Sequence, residues 1–123
     1  MSKTITFKRL NHVHICVPKE KEDEARAFYG GVMGLKEIPK PQSLIANGGM
    51  WYEIADIELH IGIEVAMPRS RRHSAFEISD VAEARKFLED KVQIVEEPVI
   101  PGRVRFAFID PFGNKIELLQ MVD

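Results

Sequence analysis

Hydrophobic and polar residues alternate in short runs along this chain, and the runs recur. In Leu10–Val17, Val13, Ile15 and Val17 share one face while His12, His14 and Cys16 share the other, the period of a strand. Pro18 closes it. Ala25, Phe28 and Tyr29 fall at i, i+3 and i+4, which predicts a helix over about 20–29 with Gly30 and Gly31 as its stop. The charged stretch 19–23 reads as that helix's solvated face. Residues 34–41 predict a strand broken at prolines. Met50–Ile54 and Ile57–Glu64 predict a hairpin turning near Ala55 and Asp56.

A second pass through the same elements follows. His73–Ile78 alternates as a strand. Asp80 with Glu83 forms a capping-box signal ahead of Val81, Ala84, Phe87 and Leu88, predicted on one helix face. Residues 92–97 read as a strand. Arg103–Ile109 and Lys115–Met121 flank "DPFGN", a strong turn signal. The two passes echo in sequence as well as in order. "EARAF" at 24–28 returns as "EARKF" at 83–87, and "IEL" at 57–59 returns at 116–118, with the same displacement in both cases. The pattern predicts an α+β fold of two tandem modules, about 8–64 and 73–121, joined by a linker at about 65–72 and forming one domain.

Sorting the strands by face gives the candidate chemistry. Ile57, Leu59, Ile61 and Ile63 oppose Glu58, His60, Gly62 and Glu64. Ser74, Phe76 and Ile78 oppose His73, Ala75 and Glu77. Ile116 and Leu118, with Gln120, oppose Lys115, Glu117 and Leu119. If helices cover the aliphatic faces, the other face holds His12, Glu58, His73 and Glu117, an imidazole and a carboxylate from each module. Such donors suit zinc, nickel, iron or manganese. Four protein ligands leave positions on a six-coordinate ion for two substrate oxygens, so the ion can polarise a carbonyl and stabilise an enediolate. Glu58 or Glu117 could move the proton. His60 and His14 are expected to line the cup, with His60 competing with Glu58 as a first-module ligand. Among the linker arginines Arg69, Arg71 and Arg72, Arg72 is the candidate to hold an anionic substrate. Cys16 reads as a small buried hydrophobe. Trp51, Tyr52, Phe106 and Phe108 read mostly as core, some as an aromatic wall.

Composition narrows the classes. The chain has 123 residues, 45% hydrophobic and 29% charged, with a formal net charge of −2 and one cysteine. A mildly acidic balance argues against a nucleic-acid binder or membrane-surface protein. A lone cysteine excludes an internal disulfide framework. With no apolar leader and no run of roughly 20 apolar residues, the expected setting is cytoplasmic.

"LNHVHICV", "EARAFYGGVMGLKEI", "ELHIGIE", "HSAFEISD" and "DPFGNKIELLQ" resemble the vicinal oxygen chelate superfamily, the group of glyoxalases, extradiol dioxygenases and fosfomycin and bleomycin resistance proteins. The resemblance covers about residues 9–121. It implies paired βαβββ modules forming a cup-shaped mixed sheet around a divalent ion, with ligands at His12, Glu58, His73 and Glu117. It also implies a lyase or isomerase acting on a small oxygenated substrate. The alternative is a non-catalytic dimer that sequesters a drug or metabolite, as bleomycin resistance proteins do. Exposed strand edges lead us to expect a homodimer in either case.

Overall fold

A computed structural model of the chain describes residues 5–65 and 70–122. The chain divides into two compact units at Ile63 and Glu64. Arg69, with Met67 and Pro68 of the expected linker, lies outside the described residues.

The first unit holds strands β1 (His12–Val17), β2 (Lys36–Ile38), β3 (Met50–Ile54) and β4 (Ile57–Ile63), ordered β1-β4-β3-β2. Strand β1 runs parallel to β4, and the other neighbours are antiparallel. The register places Val13, Ile15 and Val17 beside Leu59, Ile61 and Ile63. Met50 and Tyr52 pair with Ile61 and Leu59 on that same face. Helix α1 (Glu22–Arg26) brings Ala25 to this face, and the wider turn that follows, Ala27–Val32, brings Phe28 and Tyr29. All three, with Val17, Met50, Tyr52, Leu59 and Ile61, are at most 5% exposed. Full burial of each large side chain here stabilises the unit by about 1.5–3 kcal/mol. Arg26 clasps α1 to β2, donating from Nε and Nη2 to the two Glu37 oxygens at 2.8 and 3.2 Å.

Gly30 and Gly31 do not stop this helix. The chain continues through both, and the Met33 N–H reaches the Phe28 carbonyl at 2.8 Å, a five-residue ring wider than that of an α-helix. The left-handed residue that ends it is Gly34, at φ 70°. A second departure is the 3-10 segment Gln42–Asn47, between β2 and β3. Gly48 and Gly49 close it at φ 75° and 83°. A Cβ on Gly49 would stand 2.0 Å from the Ile61 carbonyl oxygen, so only glycine lets the loop meet β4 there.

The second unit repeats the plan with β5 (Ser74–Glu77), α2 (Val81–Leu88), β6 (Gln93–Val95), β7 (Arg103–Ile109) and β8 (Lys115–Met121), ordered β5-β8-β7-β6. Again the first strand of the unit is parallel to the last. Phe106 and Phe108 face Leu118 and Ile116 across β7 and β8. Both phenylalanines are fully buried, with Val81 and Leu88 of α2 at 7% and 3% exposure. Asp80 caps α2, its Oδ1 accepting the Glu83 N–H at 3.0 Å, and Gln120 accepts the Val81 N–H at 2.9 Å. Phe87 was expected on the buried helix face, but it is 50% exposed and lies beneath the Lys91 ammonium, 4.3 Å from the ring centroid. Val81 and Leu88 carry the sheet-facing contact of α2 instead.

The β7–β8 turn is built on Asp110, which is 3% exposed. Its Oδ1 accepts from the Phe112 and Asn114 amides at 2.9 and 2.8 Å, and its Oδ2 from Asn114 Nδ2 at 2.9 Å. The sequence echo extends to ion pairs. Arg85 is bidentate to Glu96, just as Arg26 is to Glu37. Among the described residues, no helix is long and apolar enough to cross a membrane.

Candidate functional site

In each unit the polar face of the sheet follows from the same alternation that buries the aliphatic face. In the first unit His12 stands beside Glu58, and His14 beside His60, across the parallel β1–β4 pair. Trp51 of β3 stands beside His60 on the other side. The rings stack: Trp51 on His60 with centroids 3.7 Å apart and planes 2° apart, His60 on His12 at 4.0 Å and 17°. His60 Nε2 lies 2.9 Å from Glu58 Oε1. Glu58 therefore pairs with His60, while His12 stacks on that imidazole and donates from Nδ1 to Asn11 Oδ1 at 2.9 Å. With Nδ1 so engaged, Nε2 is the nitrogen His12 has for a ligand. The Glu58 side chain is 40% exposed and that of His60 only 9%.

In the second unit His73 immediately precedes β5, and Glu117 lies in β8 opposite Ala75. His73 Nε2 is 3.1 Å from Glu117 Oε1, and His73 Nδ1 is 2.8 Å from the Arg71 carbonyl oxygen. A carbonyl only accepts, so Nδ1 carries a proton. In a neutral ring Nε2 would then turn its lone pair toward a carboxylate. That approach is favourable only with a proton or a cation between the two atoms. The His73–Glu117 and His60–Glu58 spacings, 3.1 and 2.9 Å, are both hydrogen-bond distances.

Glu117 is buried, with 6% of its side chain exposed, beside an arginine that the face sorting did not single out. Arg105 Nη1 donates to Glu117 Oε1 at 3.3 Å, and its Nη2 donates to the Pro98 carbonyl at 2.7 Å. The signal was in the hairpin: with the turn at 110–114, Arg105 falls opposite Leu119 and shares the Glu117 face. Lys115 on the same face pairs with Glu97 at 2.7 Å. The hydrogen bond from Lys115 holds the Glu97 carboxyl below the usual carboxylate range, against the opposing effect of burial.

Among the described residues of either unit, no three His, Cys, Asp or Glu side chains gather as a metal site. Each unit brings together a histidine–glutamate pair. Arg72 is exposed; its backbone N–H donates to Ser70 Oγ at 3.0 Å. Cys16 is not a core residue. It is half-buried on the polar face opposite Gly62, with Sγ 4.0 Å from His14 Nδ1. Alternation had already placed it on that face. Tyr52, Phe106 and Phe108 are core, whereas Trp51 belongs to the aromatic wall.

The first unit also encloses a cleft of about 290 Å³ between the sheet and the 3-10 segment. Its floor is Gly62, with Trp51 and His60 beside it; Leu44 and Asn47 come from the segment above, and His14 and Lys40 from the sides. A Cβ on Gly62 would come within 2.6 Å of His14 Nε2, so the missing side chain makes room for that ring. Lys40 Nζ donates to the Gly48 carbonyl.

Two consecutive βαβββ units, each with a histidine and a glutamate on its polar face, define a paired-module class. The chain belongs to the Glyoxalase/Bleomycin resistance protein/Dioxygenase superfamily, whose family model matches residues 9–118. A crystal structure from Bacillus anthracis, assigned to the glyoxalase family, is 34% identical with a TM-score of 0.87, over 98% of this chain and 100% of that one. The fosfomycin resistance protein FosX from Listeria monocytogenes shares the fold at 20% identity and TM-score 0.75, over 95% and 96% of the two chains. Lactoylglutathione lyase from Agrobacterium tumefaciens does so at 18% identity and TM-score 0.69, over 91% and 92%. A search of the curated proteins finds no match.

Proposed function

We propose that the protein is a divalent-metal-dependent enzyme of lyase or isomerase type, acting on a small oxygenated substrate. The residues proposed to hold the ion are His12 and Glu58 from the first unit and His73 and Glu117 from the second. The observation that carries this is that His73 and Glu117, 44 residues apart in the chain, bring an imidazole nitrogen and a carboxylate oxygen within 3.1 Å. In the first unit His12 and Glu58 stand side by side across the parallel β1–β4 pair, which supports it. Family membership supports it further, and FosX has been crystallised with Mn(II) and sulfate. When bound, the ion would supply Lewis acidity toward a substrate oxygen.

This chain's own residues would do the rest. Arg105 holds Glu117 in place through one nitrogen and the Pro98 carbonyl through the other, so the carboxylate is oriented before any ligand arrives. Glu58 is the more exposed of the two acids, and it is the better placed to exchange a proton with substrate and water. His60, stacked between Trp51 and His12, has both ring faces covered and holds those two rings in place. Arg72 is proposed to meet an anionic group from solvent. Elemental analysis of protein purified without a histidine tag should give close to one divalent ion per chain, and His73→Ala and Glu117→Gln should each lose it. A native protein that takes up no zinc, nickel, iron or manganese above background would end the proposal.

A further inference from the structure

We infer that the cleft between the first sheet and the 3-10 segment Gln42–Asn47 is a recognition site for a small organic anion with a flat apolar body. The inference extends the metal reading of the same face and does not require the ion.

Charge selects the sign of the ligand. The chain as a whole is mildly acidic, at −2. Yet among the described residues the cleft is lined by one ammonium, two imidazoles and an amide, with no carboxylate. Two acids beside the lining residues are already engaged. Glu22 accepts the Gly49 N–H at 3.1 Å behind the loop, and Glu58 faces His60 Nε2 at 2.9 Å. Lys40 spends one of its three donors on the Gly48 carbonyl. The other donors can meet an anion at the cleft wall, with Asn47 and His14 beside them.

Shape selects the body. Trp51 stacks face to face on His60, with the planes parallel within 2° and the centroids 3.7 Å apart, and Trp51 is the aromatic surface that lines the cleft. Leu44 supplies apolar contact from the 3-10 segment. The volume of about 290 Å³ lies at the small end of ligand cavities, which span roughly 300–1,000 Å³. Gly62 makes room for the His14 ring, which brings that imidazole into the cleft lining. It sits in β4 without left-handed backbone, so its use is space and not conformation. The His14–His60 row lies two residues from the His12–Glu58 row, about 7 Å along the strands. One molecule can therefore rest its anionic end in the cleft and extend an oxygen toward Glu58.

Trp51 is the single tryptophan of the chain, so its fluorescence reports the cleft directly. The probes are benzoate and, as a cation of the same size, benzylamine. Each is titrated into the full chain in EDTA and again with added Mn(II). Benzoate should give a saturable change in both buffers, and benzylamine none. Lys40→Gln should weaken benzoate by about tenfold or more, Lys40→Arg should restore most of it, and Gly62→Ala should weaken the response by displacing the His14 ring. Thermal melts confirm that each variant is folded. The inference is overturned if benzoate gives no saturable change, if benzylamine binds as well, or if Lys40→Gln leaves benzoate unaffected. Benzoate binding by a chain that takes up no metal would leave the cleft standing and remove only the metal reading. Metal uptake without benzoate binding would do the reverse.

Discussion

Replacing Asp110 by alanine should be among the costliest single changes in the second unit, for reasons that can be counted. The carboxylate is buried and accepts three hydrogen bonds, two of them from backbone amides inside the β7–β8 turn. Alanine leaves the Phe112 and Asn114 N–H groups without that acceptor. A hydrogen bond to a charged acceptor contributes about 1.5–3 kcal/mol, and an orphaned buried donor costs about 1–3 kcal/mol. Allowing for partial access of water to a turn, the loss should be about 3 kcal/mol. Asp110→Asn keeps one oxygen for the two amides and gives up only the Asn114 side-chain bond, so it should cost about 1 kcal/mol. Urea denaturation followed by circular dichroism measures both. The turn also sets the register that puts Glu117 and Arg105 on one face, and a one-residue slip would send Glu117 into the apolar side. Under the proposed function, Asp110→Ala should therefore weaken divalent-ion uptake even at temperatures where the chain is folded. An alanine variant within about 1 kcal/mol of the parent, or one no weaker than the asparagine variant, would refute this account of the turn.

Two further effects follow from side chains in the same unit. Asp80→Ala removes the acceptor for the Glu83 N–H and should lower stability by about 1 kcal/mol in urea melts, with Asp80→Asn nearly neutral; equal losses would mean that the cap contributes nothing. Glu97 has a folded-state pKa held down mainly by the hydrogen bond from Lys115, so its contribution is present above the ordinary carboxylate range and fades as pH falls through the lowered value. The stability gap between the parent and Glu97→Gln at pH 7 should close in urea titrations carried down toward about pH 3. A gap that stays constant would show that the pair is not ionic.

Most of the architecture was legible because it rests on period-two alternation. The faces assigned to Val13, Ile15 and Val17, to Leu59 and Ile61, and to Ile116 and Leu118 all agree with the register. "DPFGN" located its hairpin because Asp110 and Gly113 perform local chemistry that any chain would need there. Local signals failed where tertiary contact decides. Gly30 and Gly31 looked like a stop, but the wide turn continues through them and places Phe28 and Tyr29 in the core. The 3-10 segment Gln42–Asn47 has no periodic stripe and is defined by the glycines after it, so the cleft it covers was invisible in the pattern. Alternation marked Glu58 and Glu117 as polar-face residues, but the side-chain partners were beyond it. That Glu58 turns to His60, and that Arg105 reaches Glu117, depends on rotamers, which spacing does not encode.

The parallel pairing of β1 with β4, and of β5 with β8, has a consequence for how the chemistry comes into being. Each pair joins the opening strand of a unit to its closing strand, the most distant partners that half of the molecule contains. Closing so long a loop carries the largest entropic cost of any contact in the unit, and the reward arrives only once everything between is in place. His12 meets β4, and His73 meets Glu117, through that final stitch. A half-made chain emerging from synthesis thus presents His73 and Glu117 apart, and the two meet only on completion.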